Sequence, residues 1–375
     1  MSYFDYAATQ PMRQSAIDAW VNAAGMLNAG AQYTSGRKAR SVLDDARETV
    51  AELLGCEPIE VVFTASGTEA DNIAVQGLFH SSVNEAGAGR IISTPIEHSA
   101  VRDTVARLEE SHGATVDFLP VASDGHISDL SALDTPAAVA TSMWANNETG
   151  AIMPVADIVA RAAAAGTPVH VDAVQVVGKL PVDFHELGAA TLAASAHKFG
   201  GPRGIGLLLA KRTPAPRPLM FGGGQERGIR PGTNDVAGAS GLAAALKESV
   251  QQMEQESAHI QSLRDQLKAG IIASVDGVVV NTNEPALDSH LHVSFPGTDG
   301  DSLIMLLDQR GIEAATGSAC HAGVNRMSHV LEAMGVDDDQ GRGSLRFTLG
   351  RMSTEEDVND LLSVLPEVIE RARSV

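Results

Sequence analysis

Two short apolar runs, each ending in polar residues, constrain the fold of this chain most. The first run spans residues 168–171 and ends at Asp172, and the second spans residues 191–194 and leads into Ser195. Short runs that are mostly apolar are typical of buried strands in a parallel sheet. Open α/β sheets place ligand chemistry at the carboxyl ends of such strands. The stretch 168–206 therefore predicts an α/β fold with a functional site at one edge of its sheet.

A lysine follows the second run closely. Lys198 is one of six lysines in the chain. It follows Ser195 and His197 and is itself followed by Gly200 and Gly201. Glycines let a ligand approach the backbone, and a lysine amine there suits Schiff-base chemistry with pyridoxal phosphate. The pyridinium nitrogen of that cofactor needs an acidic partner, for which Asp172 is the candidate. A lone lysine is usually a surface residue, but this neighbourhood, which includes Gln175, favours a cofactor site.

Composition narrows the kind of protein. The chain has 375 residues, of which 44% are hydrophobic and 20% charged, typical of a soluble globular protein with room for two domains. A net charge of -20 argues against a nucleic-acid partner, because neutralising phosphates needs a basic surface. No apolar run approaches the roughly 18 residues of a membrane span, and no signal-peptide pattern begins the chain. With only Cys56 and Cys320 as thiols, we expect a cytoplasmic protein without membrane attachment.

Strand and helix patterns alternate over residues 59–209, which predicts a mostly parallel sheet with helices on both faces. The small, polar residues 29–36 predict a loop before this region. The predicted strands, besides the two runs above, cover residues 59–63, 90–93, 116–120 and 138–144, and the predicted helices before them cover residues 17–26 and 39–54.

Three of these strands end in residues that suit a ligand. Residues 64–72 turn into a helix whose free N–H groups and dipole can hold a phosphate, although a plain capping turn fits equally well. His98 stands where a ring can stack on a flat cofactor, whereas a lone histidine is more often structural. Asn147 can bond a ligand oxygen or form an Asx turn.

The chain after residue 209 follows a different pattern. Residues 221–234 are rich in glycine and hold two arginines, which predicts an anion-facing or interface loop. A long helical stretch covers residues 236–267, followed by short strands and helices. We predict a large domain of residues 13–256 and a small α+β domain of residues 1–12 and 257–375.

Taken together, these segments resemble the cysteine desulfurases, pyridoxal-phosphate enzymes of the class V aminotransferase family. The likeness covers nearly the whole chain. It rests on FDYAATQP, TASGTEADN, the Glu97-His98 pair, NNETG, HVDAVQ, SAHKFGGPRGIG, GGGQERGIRPGT, GSAC and SLRFTLGR, in this order. It implies the aspartate-aminotransferase-like fold, known as fold type I, with a mostly parallel central sheet and a smaller α+β domain that carries the cysteine loop.

The resemblance also implies roles around pyridoxal 5'-phosphate. Lys198 is expected to form the Schiff base and Asp172 to pair with the ring nitrogen. Gln175 and Asn147 are expected to bond the ring hydroxyl, and His98 to stack on the ring and take part in catalysis. The residues expected around the phosphate are Gly67, Thr68, Ser195 and His197, joined by Thr233 from the other subunit of a homodimer.

The implied reaction converts L-cysteine to L-alanine. Arg346 and Asn28 are expected to bind the substrate, with Arg346 holding its carboxylate. Cys320, in the GSAC motif, matches the cysteine that takes up sulfur as a persulfide and passes it to an acceptor protein such as an iron-sulfur scaffold. Cys56 is interpreted as a structural thiol, and no metal is expected at the site. The chain departs from the family in two places. Residues 28–32 stand where the family has a glycine-asparagine-proline-serine segment, and the histidine common shortly after it is absent. After Cys320, residues 321–323 (His-Ala-Gly) replace the more usual run of small hydroxyl residues.

Other functions use parts of the same pattern. A class V aminotransferase or a selenocysteine lyase would need the same lysine, and in an aminotransferase Cys320 would be incidental. A non-catalytic scaffold or sulfur-relay protein is a further alternative. The intact Lys198 and Asp172 argue against a scaffold, because a scaffold has no need for a Schiff-base amine.

Overall fold

The computed structural model describes residues 1–83, 89–317 and 327–374. Within these residues the strands are β1 (Ser2–Tyr3), β2 (Val61–Thr64), β3 (Arg90–Ser93), β4 (Thr115–Phe118), β5 (Val139–Met143), β6 (Val169–Asp172), β7 (Thr191–Ser195), β8 (Gly206–Ala210), β9 (Val279–Val280), β10 (His290–Ser294), β11 (Ile312–Glu313) and β12 (Ser344–Thr348). The α-helices are α1 (Gln14–Ala23), α2 (Thr34–Leu53), α3 (Gly67–Ser82), α4 (Ser99–His112), α5 (Val155–Ala164), α6 (Phe184–Leu187), α7 (Val236–Ser274), α8 (Gly300–Asp308), α9 (His329–Ala333), α10 (Asp338–Arg342) and α11 (Glu355–Arg373).

A seven-stranded sheet with the order β2-β8-β7-β6-β5-β3-β4 forms the centre of the fold. Its neighbouring strands run parallel except at β8, which is antiparallel to both β2 and β7. Because β5, β6 and β7 are parallel neighbours, their carboxyl ends meet at the same edge of the sheet. The predicted α/β fold with a mostly parallel sheet is confirmed.

Helices cover both faces of this sheet. Successive side chains of a strand point to opposite faces, and those of β8 enter different hydrophobic clusters. Leu208 packs in a cluster with Ile73 of α3, whereas Leu207 and Leu209 belong to the cluster that contains Leu43 of α2. The mostly apolar sequences of the central strands follow from this arrangement, since neither face of these strands is exposed to water.

A smaller antiparallel sheet, with the order β12-β10-β9, forms a second layer with helices α8 and α11. Its core includes Leu291, Phe347 and Leu365. Helix α7 contributes to both cores along its 39 residues, with Leu246 in the first and Leu267 in the second. The predicted division at residue 256 falls inside this helix and stays a prediction.

Two predicted boundaries are wrong for physical reasons. Helix α2 begins at Thr34, so the end of the predicted loop 29–36 is helical. Gly36 is buried there, and a Cβ at this position would lie 2.4 Å from the carbonyl oxygen of Ala31. The start of the helix is therefore packed closely against the preceding loop, which an apolar repeat does not reveal. The strand predicted from residue 59 begins later, because Pro58–Glu60 forms a 3-10 turn.

A buried arginine ties the N-terminal segment to the long helix. The guanidinium of Arg13, only 1% exposed, donates two hydrogen bonds to Glu256, at 2.8 and 2.7 Å, and one to Glu248 at 3.0 Å. Its Nε donates to the carbonyl oxygen of Phe199, 3.1 Å away. Since Phe199 follows Lys198, this network holds the N-terminal segment against the lysine loop. None of the helices formed by the described residues is long and apolar enough to cross a membrane.

Candidate active site

A cavity of about 430 Å³ lies at the carboxyl ends of β5, β6 and β7. This volume is within the range of small-molecule and cofactor sites. The cavity brings together most of the residues predicted from the sequence, namely Gly67, Thr68, His98, Asn147, Asp172, Gln175, Ser195, His197, Lys198 and Arg346.

Lys198 stands at the end of a short 3-10 turn that follows β7. Its Nζ donates hydrogen bonds to the carbonyl oxygens of Ala7, at 2.6 Å, and Ala8, at 2.9 Å. Burial, together with the positive charge of Arg346, lowers the pKa of Lys198 to about 8. With a pKa of about 8, roughly a tenth of the amine is neutral at pH 7. The neutral amine is the form that acts as a nucleophile or a base. The carbonyl partners from residues 7 and 8 are site elements that sequence analysis missed.

Asp172 ends β6 and is almost fully buried, with 5% of its surface exposed. Its Oδ1 accepts a hydrogen bond from the backbone N–H of Val174, 2.9 Å away. Burial raises the pKa of Asp172, and the nearby His98 and Lys198 act in the opposite direction. A buried carboxylate is stabilised by a cation that is buried with it. The position suits a protonated ring nitrogen.

Two further buried acids lie close to Asp172. Oδ1 of Asp71 lies within hydrogen-bond distance, 3.1 Å, of Nε2 of His170. Burial raises the pKa of Asp71 strongly. Burial also raises the pKa of Glu97 to about 8, and its Oε1 accepts hydrogen bonds from Thr94 and from a backbone N–H. Glu97 is therefore mostly protonated at neutral pH and adds little negative charge beside Asp172.

The start of α3 forms a cradle at the other end of the cavity. Ser66 caps the helix by accepting a hydrogen bond from the N–H of Glu69, at 3.1 Å, so the capping turn considered from the sequence is present. The first N–H groups of a helix have no partner inside it and lie at its positive end. A Cβ on Gly67 would lie 2.7 Å from Cγ2 of Val174 and 3.3 Å from Cβ of Ser195, so only glycine fits here. Capping and anion binding are compatible at this turn.

The loop after β5 assigns different tasks to two neighbouring asparagines. Oδ1 of Asn146 accepts hydrogen bonds from the N–H groups of Glu148 and Thr149, both at 2.9 Å. The Asx-type turn considered for Asn147 is therefore formed by Asn146. Asn147 lines the cavity, and its carbonyl oxygen accepts a hydrogen bond from Arg346 at 2.7 Å.

Arg346 lies on β12 and is 6% exposed. Its Nη2 contacts Oδ1 of Asp5 at 2.5 Å, and its Nε is buried without a hydrogen-bond partner. A guanidinium offers five N–H donors in a rigid fork that matches a carboxylate. The unpaired donor is compatible with the predicted binding of a substrate carboxylate. Asp5, the acidic partner, was not identified from the sequence.

His98 lines the cavity as the N-cap residue of α4. Its Nδ1 accepts a hydrogen bond from the N–H of Ala100, 3.1 Å away, which assigns the ring proton to Nε2. Partial burial lowers the pKa of His98, so the neutral ring predominates at neutral pH.

Two of the predicted residues that the structure describes, Asn28 and Thr233, are not among those that line the cavity. Asn28 is exposed, and its Oδ1 accepts a hydrogen bond from the N–H of Gly30 at 2.8 Å. Thr233 is also exposed. The predicted persulfide residue Cys320 lies outside the described residues, whereas Gly317 and His329 both line the cavity.

The second cysteine is placed in a different environment. Cys56 is half-buried, and burial, with the negative charges of Glu60 and Asp183, raises its pKa to about 12. Its thiol is protonated at neutral pH and is a weak nucleophile, because the thiolate is the reactive form. This agrees with its interpretation as a structural thiol.

Comparison with known proteins points to one family. Residues 2–361 match the family Aminotransferase class-V. The chain is 47% identical to the IscS-like cysteine desulfurase of Mycobacterium tuberculosis, over 100% of this chain and 97% of that protein. It is 37% identical to the cysteine desulfurase NifS of Azotobacter vinelandii, over 93% of this chain and 87% of that protein.

Solved structures agree with this assignment. A NifS-like protein superposes with a TM-score of 0.91 at 34% identity, covering 99% of this chain and all of that one. The structure described as SspA in complex with cysteine superposes with a TM-score of 0.81 at 30% identity, covering 94% of this chain and 100% of that one. Fold type I, expected from the resemblance, is thereby confirmed. The chain belongs to the class V aminotransferase family and, within it, to the cysteine desulfurases.

Proposed function

We propose that this enzyme uses pyridoxal phosphate to convert L-cysteine to L-alanine and takes up the released sulfur on Cys320 as a persulfide. One observation carries the proposal for this chain. A single cavity joins the amine of Lys198, the buried acid Asp172 and the guanidinium of Arg346. These are the groups needed to attach the cofactor, to hold its ring nitrogen and to bind an amino-acid carboxylate.

The residues of the cavity fit pyridoxal phosphate on three counts. Asp172 is a buried carboxylate that lacks a cationic hydrogen-bond partner among the contacts of the described residues. The helix start at Gly67 leaves room for an anion and no room for a side chain. The amine of Lys198 faces the same cavity. When bound, this cofactor supplies an electron sink for the α-carbon of an amino acid.

Proton transfer is assigned to Lys198. When its amine is free, Nζ of Lys198 would take the α-proton of the substrate, because burial keeps its pKa near 8 rather than at the usual 10.5. His98 offers a second proton carrier at its Nε2. The pKa of Lys198 is lowered, so the basic form is gained as pH rises towards about 8 and lost below it.

Substrate binding is assigned to Arg346. Its guanidinium already accommodates one carboxylate, that of Asp5, and has an unpaired Nε. A substrate carboxylate would accept a hydrogen bond from the unpaired Nε and compete with Asp5 for Nη2. Asn28 is retained as a proposed substrate-binding residue, although it does not line the cavity of this chain.

The sulfur step is assigned to Cys320. Its thiolate attacks the substrate sulfur, forming an S–S bond while the C–S bond breaks. The electron pair of the broken bond stays with the β-carbon, which takes up a proton and becomes the methyl group of alanine. The terminal sulfur then passes to a thiol of an acceptor protein, such as an iron-sulfur scaffold. The acceptor, the cytoplasmic location and the absence of a nucleic-acid partner stay predictions.

The function is tested by incubating the purified enzyme with pyridoxal phosphate, L-cysteine and a thiol reductant. We expect alanine and sulfide in equal amounts, because each turnover removes one sulfur atom from cysteine and the thiol reductant then reduces that sulfur to sulfide. Transfer of the amino group to a 2-oxo acid without sulfide would instead establish an aminotransferase. Turnover of selenocysteine in the absence of any cysteine turnover would establish a selenocysteine lyase.

We also propose a homodimer in which Thr233 reaches the phosphate site of the partner. The loop before Thr233 is anchored by Glu226, which is 7% exposed and adopts a left-handed φ of 47°. Its carboxylate accepts hydrogen bonds from Arg47 at 2.7 Å and from Asn234 at 2.6 Å. An exposed threonine on an anchored loop is available to a second subunit.

Sedimentation at assay concentration is expected to give the mass of a dimer. The variant Thr233→Ala should keep this mass and bind pyridoxal phosphate about tenfold more weakly, the order for one hydrogen bond to a charged group. A fully active monomer would contradict the proposed dimeric site.

A further inference from the structure

We propose that Lys179 is a positioning residue that determines which end of the Gln175 amide faces the cofactor site. The inference rests on the proposed function, because it concerns the cavity proposed to hold pyridoxal phosphate. The pattern of polar residues at strand ends does not predict a role for Lys179 or its contact with Gln175. Lys179 is also not among the residues that line the main cavity.

Three hydrogen bonds link Lys179 to the Schiff-base lysine. Nζ of Lys179 donates to Oε1 of Gln175 at 2.9 Å, and Nε2 of Gln175 donates to the carbonyl oxygen of Ala7 at 3.0 Å. The same carbonyl oxygen accepts a hydrogen bond from Nζ of Lys198 at 2.6 Å. The two lysines thus lie at opposite ends of one chain of polar contacts.

The two partners of the Gln175 amide allow only one orientation. In its protonated form the amine of a lysine can only donate hydrogen bonds, and a backbone carbonyl can only accept them. Oε1 must therefore face Lys179, and Nε2 must face Ala7. The rotated amide would set an N–H group against the ammonium and an oxygen against the carbonyl, losing both bonds.

This orientation leaves one N–H of the Gln175 amide available. Its Nε2 carries two hydrogens, of which Ala7 uses one. Gln175 lines the cavity and is 5% exposed, and no described residue accepts the second hydrogen, so we infer that it is available to a ligand in the cavity. That N–H is a suitable donor to an anionic oxygen on the cofactor ring. With the amide rotated, Oε1 would present a lone pair there and repel the same oxygen.

The surroundings of Lys179 explain why a specific partner is needed. Burial of its amine, together with the charges of Lys198 and Arg346, lowers the pKa of Lys179 to about 7. Burying a lysine amine costs free energy unless the amine donates hydrogen bonds. On its other side it borders a small pocket that also contains Glu256 and Asp288.

A double-mutant cycle tests the proposal. Lys179→Met and Gln175→Ala are made singly and together, and the affinity for pyridoxal phosphate and the absorbance maximum of the bound cofactor are measured for each. We expect Lys179→Met to weaken cofactor binding about tenfold, the order for a lost hydrogen bond to a charged group, and to shift the absorbance maximum. In the Gln175→Ala background Lys179→Met should have no further effect, since it acts through the missing amide.

The matched control is Lys211→Met. Nζ of Lys211 also donates to a protein carbonyl, that of Gly188, but lies outside the cavity. This variant should bind the cofactor as the wild type does. If Lys179→Met does not fold, Lys179→Gln replaces it in the same cycle. We then expect the single variant Lys179→Gln to bind pyridoxal phosphate at least about threefold more weakly than the wild type.

Two outcomes overturn the inference. Unchanged affinity and absorbance in Lys179→Met would show that the amide needs no positioning, and an equal loss in both backgrounds would show that Lys179 acts independently of Gln175. A wild type that develops no visible absorbance with pyridoxal phosphate would instead overturn the proposed function, so the two failures are distinguishable.

Discussion

Replacing Lys198 with alanine is expected to abolish alanine formation from L-cysteine, with a loss of at least about 10⁴-fold. The variant loses both the amine that attaches the cofactor and the base proposed to take the α-proton, and general base catalysis alone is worth about 10²–10⁴-fold. Alanine released per minute measures the loss. The visible absorbance of the bound cofactor after extensive dialysis measures the attachment, which should also be lost.

The surface residue Lys247 offers a control for this experiment. Lys247→Ala should keep both the absorbance and the turnover, because its amine is not part of the cavity. In the wild type, alanine formation should rise as pH increases towards about 8, since the neutral amine of Lys198 is the active base. Normal turnover in Lys198→Ala would mean that another group carries the cofactor.

Replacing Cys320 with serine is expected to stop alanine release, by at least about 10³-fold, while leaving the cofactor in place. Lys198, Asp172 and Arg346 are unchanged in this variant, so cofactor and L-cysteine should still bind and alter the visible absorbance. A serine hydroxyl is almost entirely un-ionised at neutral pH and is a far poorer nucleophile towards sulfur than a thiolate. Alanine release and visible spectra, measured together, separate loss of the sulfur step from loss of the cofactor.

The persulfide itself provides a second measurement. Wild-type enzyme treated with L-cysteine in the absence of an acceptor should gain one sulfur atom on the peptide that contains Cys320. Cys56→Ser is the matched control and should remain active, because the raised pKa of Cys56, about 12, keeps that thiol protonated. An active Cys320→Ser enzyme, or sulfur found on Cys56 instead, would refute the assignment and leave the fold and the cofactor site standing.

Local patterns in the sequence were sufficient to locate one edge of the site. Asp172 ends one strand and Lys198 follows another, and both strands are buried on both faces, so their mostly apolar runs could be identified without a structure. The parallel order of β6 and β7 then requires their carboxyl ends to be neighbours. The order of motifs along the chain was likewise enough to indicate the family, which the comparisons confirm.

Contacts between distant parts of the chain could not be obtained in this way. The carbonyl oxygen of Ala7 lies 191 residues from Lys198 in the sequence, and Asp5 lies 341 residues from Arg346. A backbone carbonyl carries no sequence signal at all, since every residue has one. These partners became visible only in the folded chain.

The sequence by itself determined the fold class, the strand ends that carry Asp172 and Lys198, and the family, because all three depend on local periodicity and on motifs read in order. Tertiary structure alone decided which groups surround them. It paired Arg346 with Asp5, left Asn28 away from the cavity of this chain and set the amide of Gln175 against the carbonyl oxygen of Ala7. The physical reason is that hydrogen-bond partners depend on distances between elements, and chain order does not specify those distances.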